Sequence, residues 1–396
     1  LTLGFAMGLT RGFCIHISQA YGKKDYHLVN RGFFVASVLS LIVGAMISIV
    51  GSLAIRDFLI LMHTPGEILE QSLDYIKVIL LGFVITVLNN LFMSVLQSLG
   101  DSSTPFWALL VSSVTNIGLD CVFVLTLKWG VQGAAAATVL SQVFSFAICA
   151  AGLKKLKFVS ILDGSKSKNA RLTVRMLKTG LPVGIMSMVT AVGGMILQFF
   201  VNDLGASAVA AYAASTKIRS VIGEFSNALG MTFMTFVGQN YGAQKYDRIK
   251  AGVRMGVLLS ILIHIPLSAV EIFGGKRIAS LMVTDPPVLE LCRQYLLIVG
   301  IFVFFLGFLM VFRNCIQGMG NTWIPMLSGG LEVFSRLIFG YWLGRHSFMG
   351  IAAAEASAWI SVSIMLGSSF FILFRKVLRT QTPENTTDTK NIRTDS

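Results

Sequence analysis

The stretch Gln19-Ala20-Tyr21-Gly22 returns as Gln239-Asn240-Tyr241-Gly242, and that return decides the fold. Tyr26 finds its counterpart in Tyr246, and Gly32 in Gly252, at the same offset of 220 residues. Further along, Tyr75 matches Tyr295, Gln97 matches Gln317, Gly100 matches Gly320 and Pro105 matches Pro325. A last block, Gly133 to Ala137, answers to Gly350 to Ala354 at an offset of 217. One offset held over so much of a chain marks an internal duplication.

The chain of 396 residues is 54% hydrophobic and only 13% charged, a balance no soluble domain of this length needs. Uncharged runs of membrane length recur: Gly32–Ile55, Val78–Gly100, Trp129–Leu153, Thr179–Asn202, Gln294–Phe312 and Ala356–Phe374. A helix crosses a bilayer core with roughly 20 residues. Hydropathy predicts eleven spans, centred near residues 10, 44, 86, 116, 142, 190, 225, 262, 303, 334 and 363. The fold class is therefore an all-α polytopic membrane protein. Shifted back by the repeat offset, the span near 225 lands on the first span, while the span near 190 lands before Leu1. The expectation is two six-helix lobes, with about eleven of twelve transmembrane helices present and the first helix missing. Copies with an even number of spans keep one orientation, which makes the repeat parallel. The expected organisation is an N-terminal lobe over 1–153, a basic cytoplasmic linker over 154–176, a C-terminal lobe over 177–376 and a disordered cytoplasmic tail over 377–396.

The net charge of +13 would point a soluble protein toward nucleic acid. Here the loops 20–31, 154–178, 240–254, 313–321 and the tail after Phe374 carry 21 of the 32 Lys and Arg. Basic loops stay in the cytoplasm. This predicts a multi-pass protein of the cell membrane with a cytoplasmic C-terminus, a lipid bilayer rather than nucleic acid as its surroundings, and a monomer. No phosphate-binding loop appears, nor any Ser/His/Asp or His-Glu-x-x-His arrangement, and the five Cys and five His are scattered. An ATP-driven pump and an enzyme are disfavoured, and no cofactor is expected.

Charge inside a span needs a partner or a watery cavity. Asp120 follows a long uncharged run, with Asn116 one turn earlier on the same helix face. Asn90 in the preceding span and Thr138 in the following one can add oxygens. Such a set suits a small hard cation, Na⁺, or a proton on the carboxylate. A helix–helix hydrogen-bond cluster, or a solvated Asp120 at the span end, are the plainer readings. In the second half Glu332 and Arg336 stand at i,i+4, and Glu355 occupies the repeat position of Thr138. This C-lobe charged cluster reads as a structural ion pair, or as a gating or proton-linked group. Asp120 corresponds to Gly340 and Asn116 to Arg336, so the copies do not share one site. Gln198 and Asn202, one turn apart, form with Met195 a candidate substrate cavity, or simply pack. Met186, Met188, Met195, Phe199 and Phe200 fit either an adaptable apolar lining or packing against neighbours and lipid. In each repeated cassette Gly22 or Gly242 reads as a helix cap, and Gly32 or Gly252 as the opening of the next helix.

The doubled Gln-x-Tyr-Gly loop, the doubled Gln-x-x-Gly-(x4)-Pro turn, and Asn116-x-x-x-Asp120 followed by Gly130-Val-Gln-Gly-Ala-Ala135 resemble the multidrug and toxic compound extrusion (MATE) family. Glu332-x-x-x-Arg336 is similar to its bacterial members. The resemblance covers residues 1 to about 376. It implies two six-helix lobes around a central cleft. It also implies a secondary antiporter that exports small organic, often cationic, compounds in exchange for Na⁺ or H⁺. A family cation site uses a first-helix Asp with four further side chains, which Asn90, Asn116, Asp120 and Thr138 resemble. The family's seventh-helix acid has no counterpart in Thr179–Asn202, where Gln198 and Asn202 stand instead. A flippase for lipid-linked oligosaccharide or lipid from the same superfamily is the alternative, and a channel or a membrane-embedded enzyme comes third. The flippase would want several cavity cations, whereas the spans offer few: Arg11, Lys217, Arg219 and Arg336.

Overall fold

The computed structural model describes residues 1–61, 65–160, 163 and 169–379, and among them every regular element is helical. That follows from the composition, because in lipid each backbone N–H and C=O must be satisfied within its own segment. The chain divides into two compact units between Met188 and Val189. The first holds α1 (Thr2–Gly22), α2 (Tyr26–Leu61), α3 (Gly66–Leu81), α4 (Phe83–Ser98), α5 (Ser103–Asp120) and α6 (Gly130–Lys155). Helix α7 (Ala170–Asn202) begins in the first unit and ends in the second. The second holds α8 (Ala206–Gly242), α9 (Tyr246–Ala269), the short α10 (Gly275–Ala279), α11 (Pro286–Gly318), α12 (Trp323–Phe339) and α13 (Phe348–Arg379).

All eleven expected span centres fall inside helices. Seven helical stretches are long and apolar enough to cross a membrane alone, and α3 with α4 makes an eighth, bent by 48°. Helices α1, α8 and α12 fall outside that set; α8 carries Lys217, Arg219 and Glu224, and α12 carries Glu332 and Arg336. Large apolar side chains point outward, among them Leu53, Leu81 and Phe273 at 74% exposure or more. Lipid tails receive such side chains without penalty.

The duplication is written in the backbone. Helices α1 and α8 end at Gly22 and Gly242; α2 and α9 open at Tyr26 and Tyr246; α5 and α12 open at Ser103 and Trp323. Left-handed residues recur at the same offset: Lys24 (φ 60°) with Gln244 (φ 59°), and Gly100 (φ 95°) with Gly320 (φ 91°). Two local readings change. Gly22 and Gly242 end their helices without capping them, for Lys23 and Ala243 are the caps and the left-handed position is the next residue. Gly32 and Gly252 lie inside α2 and α9, where a β-carbon would press on Ile17 Cγ1 at 3.1 Å and on the Phe236 ring respectively. These glycines serve close helix packing, not helix initiation.

Each unit buries its own core. Leu9, Phe13, Ile17, Phe33, Leu91 and Leu96 anchor the first, and Val237, Tyr295, Val299, Trp359 and Leu366 the second. Of the expected linker, residues 161–162 and 164–168 lie outside the described residues, while Ala170–Met176 already belongs to α7. Of the expected tail, 377–379 close α13 and 380–396 lie outside the described residues.

Candidate functional site

Helix α5 ends at Asp120, where the hydrogen-bonding widens into a π-helical turn over Cys121–Thr126. Single π turns of this kind often mark functional sites. Asp120 Oδ1 and Asn116 Nδ2, one turn apart, are both sealed from solvent and have no hydrogen-bond partner. Asn90 Nδ2 donates to its own helix at Thr86 O (2.8 Å), and Thr138 Oγ1 to Ala134 O (3.0 Å). Asn90 Oδ1 and the Thr138 hydroxyl oxygen therefore keep acceptor capacity. Helices α4, α5 and α6, which carry the four residues, pack against one another. No hydrogen bond joins any two of the four.

The cross-helix polar contacts of this bundle fall to neighbours instead. Asn89 Nδ2 donates to Gln142 Oε1 at 2.6 Å, and Ser112 Oγ to Ser141 O at 3.0 Å. Sequence reading took Asn90 and passed over Asn89, although only Asn89 is buried at 3% exposure. The adjacent amides divide their tasks, one tying α4 to α6 and the other bonding along α4.

The second unit assembles a larger polar group from α8, α11, α12 and α13. Glu332 Oε1 accepts from Arg336 Nη2 at 3.0 Å along α12, and Glu332 Oε2 accepts from Arg313 Nη2 at 3.0 Å from α11. Arg336 also reaches Glu355 Oε1 at 3.7 Å, and Arg336 Nη1 donates to Thr190 O at 3.4 Å. Arg219 Nη2 meets Glu355 Oε1 at 3.1 Å, and Tyr295 Oη donates to Glu355 Oε2. The Arg219 guanidinium lies 5.8 Å from the centre of the Trp359 ring. Glu332, Arg336, Arg313 and Glu355 are each 5% exposed or less. Desolvated charges of this kind are tolerated only when paired and hydrogen-bonded.

Glu332, Arg336 and Glu355 thus come together, joined by residues the sequence did not assign. Arg313 was counted among the loop charges; it stands inside α11 at 4% exposure. Arg219 was placed in a span without a partner. Tyr295 was marked only as the repeat counterpart of Tyr75. Its ring also meets Tyr212 edge-on at 5.7 Å.

Gln198 Nε2 donates to Asn202 Oδ1 at 2.8 Å, one turn apart on an accessible face of α7. Met195 and Phe199 are exposed at 57% and 63%, whereas Met186 and Phe200 are buried at 8% each. The expected apolar lining does not share one environment.

Known proteins resolve what kind of machine this is. The MatE family pattern matches residues 1–122 and 182–342. The chain belongs to the MatE family. MatE proteins are membrane transporters and not enzymes. This MatE chain is similar to the "Probable multidrug resistance protein YoeA" of Bacillus subtilis, 27% identical over 374 residues, covering 89% of this chain and 81% of that protein. It is also similar to the "Probable multidrug resistance protein NorM" of Thermotoga maritima, 24% identical over 372 residues, covering 92% and 79%. The fold matches a solved outward-facing multidrug resistance MATE transporter with a TM-score of 0.87 at 22% identity, over 95% of this chain and 85% of that one. As a MatE protein with at least seven apolar spans, the chain is a multi-pass membrane protein.

Proposed function

We propose that this MatE protein is a secondary active multidrug efflux antiporter of the plasma membrane. It exports small organic, often cationic, compounds in exchange for inward Na⁺ or H⁺, working as a monomer with its C-terminus in the cytoplasm. The names of its relatives support the drug-export reading. The observation that carries ion coupling is Asp120 Oδ1, a carboxylate oxygen buried within a span and left without a donor. A carboxylate in that condition is stabilised by a cation or a proton. Asn116, one turn before it, and Asn90 and Thr138, on the flanking helices, are the further oxygens proposed for the same ion. Gln198, Asn202 and Met195 are proposed contacts for the exported compound.

The flippase alternative loses ground on the charge network. The buried Arg313 adds to the basic residues of the spans, yet Arg219, Arg313 and Arg336 all answer to Glu332 or Glu355. Guanidinium groups already paired leave little free positive charge for a pyrophosphate. The test is ethidium extrusion by the protein in proteoliposomes under separately imposed Na⁺ and H⁺ gradients. Extrusion under one or both supports the reading. Equal flux with and without a gradient sinks it.

A further inference from the structure

The second unit holds a carboxylate that the charge network does not use. Glu271 sits in a π-helical turn, Val270–Gly274, between α9 and α10. It is 1% exposed, and neither Oε1 nor Oε2 has a hydrogen-bond partner. The side chain lies over Gly300 of α11, where a β-carbon would stand 3.0 Å from Glu271 Cβ and 3.4 Å from Oε2. The Gly300 carbonyl on that side is already taken by Ser268 Oγ at 2.7 Å. An ionised carboxylate without donors in such a place is strongly disfavoured, and a bound proton removes the charge. A metal cation needs several oxygens around it. No group of three His, Cys, Asp or Glu side chains that could hold a metal ion exists among the described residues, and the proton, which needs one oxygen, fits.

The surroundings bring further titratable and charged groups. Of the elements packed against the turn, α9 brings His264, held by Ser226 Oγ and Ser260 O; α11 brings Tyr295, held by Glu355; α10 brings the exposed Lys276, paired with Glu290, and the exposed Arg277. From α8 and α13, Arg219 and Glu355 act on Glu271 electrostatically through space. Arg219 Nη2 is engaged by Glu355, while Arg219 Nε is buried without an acceptor. The second unit therefore holds an unused donor on Arg219 and two unused acceptors on Glu271, of opposite charge.

We propose that Glu271 is a proton-binding carboxylate of the second unit, and that its deprotonation draws Arg219 from Glu355 toward Glu271. The proton leaves to water; the charge it uncovers is met by the guanidinium, and Tyr295 keeps Glu355 hydrogen-bonded. The contact between Arg219 and Glu355 is the arrangement assigned to the protonated state. Arg219 is the positioning residue and Glu271 the group that carries the proton. The site's part in transport rests on the antiport reading above; its protonation does not.

Infrared difference spectra of the reconstituted protein across a pH titration test the site directly. A carboxylic-acid C=O band that titrates in the wild type and is absent from Glu271→Gln is the expected result. Identical bands in both overturn the proposal. Should Glu271→Gln fail to fold, Glu271→Asp serves, with a shifted band expected and an unmoved one fatal. Arg219→Gln removes a nearby cation, so the band's titration should move to higher pH; no movement overturns the exchange. With ethidium efflux measured alongside, a titrating Glu271 band without gradient-driven efflux in the wild type would count against the antiporter and leave the proton site standing.

Discussion

Arg313 donates to Glu332 Oε2 across 3.0 Å from a neighbouring helix, with both side chains 5% exposed. Glu332 thus carries two guanidinium groups, one on each oxygen. Removing one member of a buried pair leaves its partners uncompensated and costs about 3–5 kcal/mol. Glu332→Ala is accordingly expected to destabilise more than Glu290→Ala, whose exposed pairs with Lys276 and Arg293 contribute far less. Thermal melts of the detergent-purified variants report the ranking.

Asp120 makes the opposite case, since its buried oxygen contributes no hydrogen bond to stability. Asp120→Asn should leave the melting temperature unchanged or raised while abolishing ion-driven ethidium efflux. An efflux rate equal to wild type would remove Asp120 from the coupling site.

The contact between Gly82 and Val139 is tight enough that any β-carbon at 82 would overlap the valine side chain. Gly82→Leu should cost about 1–3 kcal/mol as overpacking. Combining it with Val139→Ala should recover a large part of the loss, because residues in contact are not additive. Denaturation of the single and double variants measures the coupling.

Gln244 holds φ at 59°, a conformation that disfavours residues with a β-carbon by roughly 1–2 kcal/mol. Gln244→Gly should therefore stabilise by up to about 1 kcal/mol once the added chain entropy of glycine is subtracted. Ala243→Gly, one residue earlier in right-handed helical geometry, should destabilise. Opposite signs at adjacent positions are the expected readout in chemical denaturation.

How far the sequence carried depends on the direction in which an interaction runs. The repeat reaches further than the residues the sequence matched: Arg56 pairs with Glu70 at 3.5 Å, and Lys276, 220 positions on, pairs with Glu290 at 3.4 Å. Glu332 and Arg336 were legible because i,i+4 spacing fixes contact along one helix. Arg313, Tyr295 and Arg219 were not, because no periodicity says which residues of separate helices will face each other. Glu271 left no signal beyond an isolated charge near an apolar run. Its meaning comes from the hydrogen bonds it lacks, which only the packed structure reveals. The glycines misled in a similar way: Gly32 and Gly252 look like helix punctuation, yet they answer to a side chain on another helix.

The bend between α3 and α4 has no counterpart in the second copy. Its position, Gly82, corresponds by the repeat offset to Phe302, which sits in the middle of the unbroken α11. One copy has an elbow where the other has a strut. The residue that fills the crook of the elbow, Val139, is next in sequence to Thr138. Two halves of common ancestry have come to differ in the course of a helix as well as in their charge.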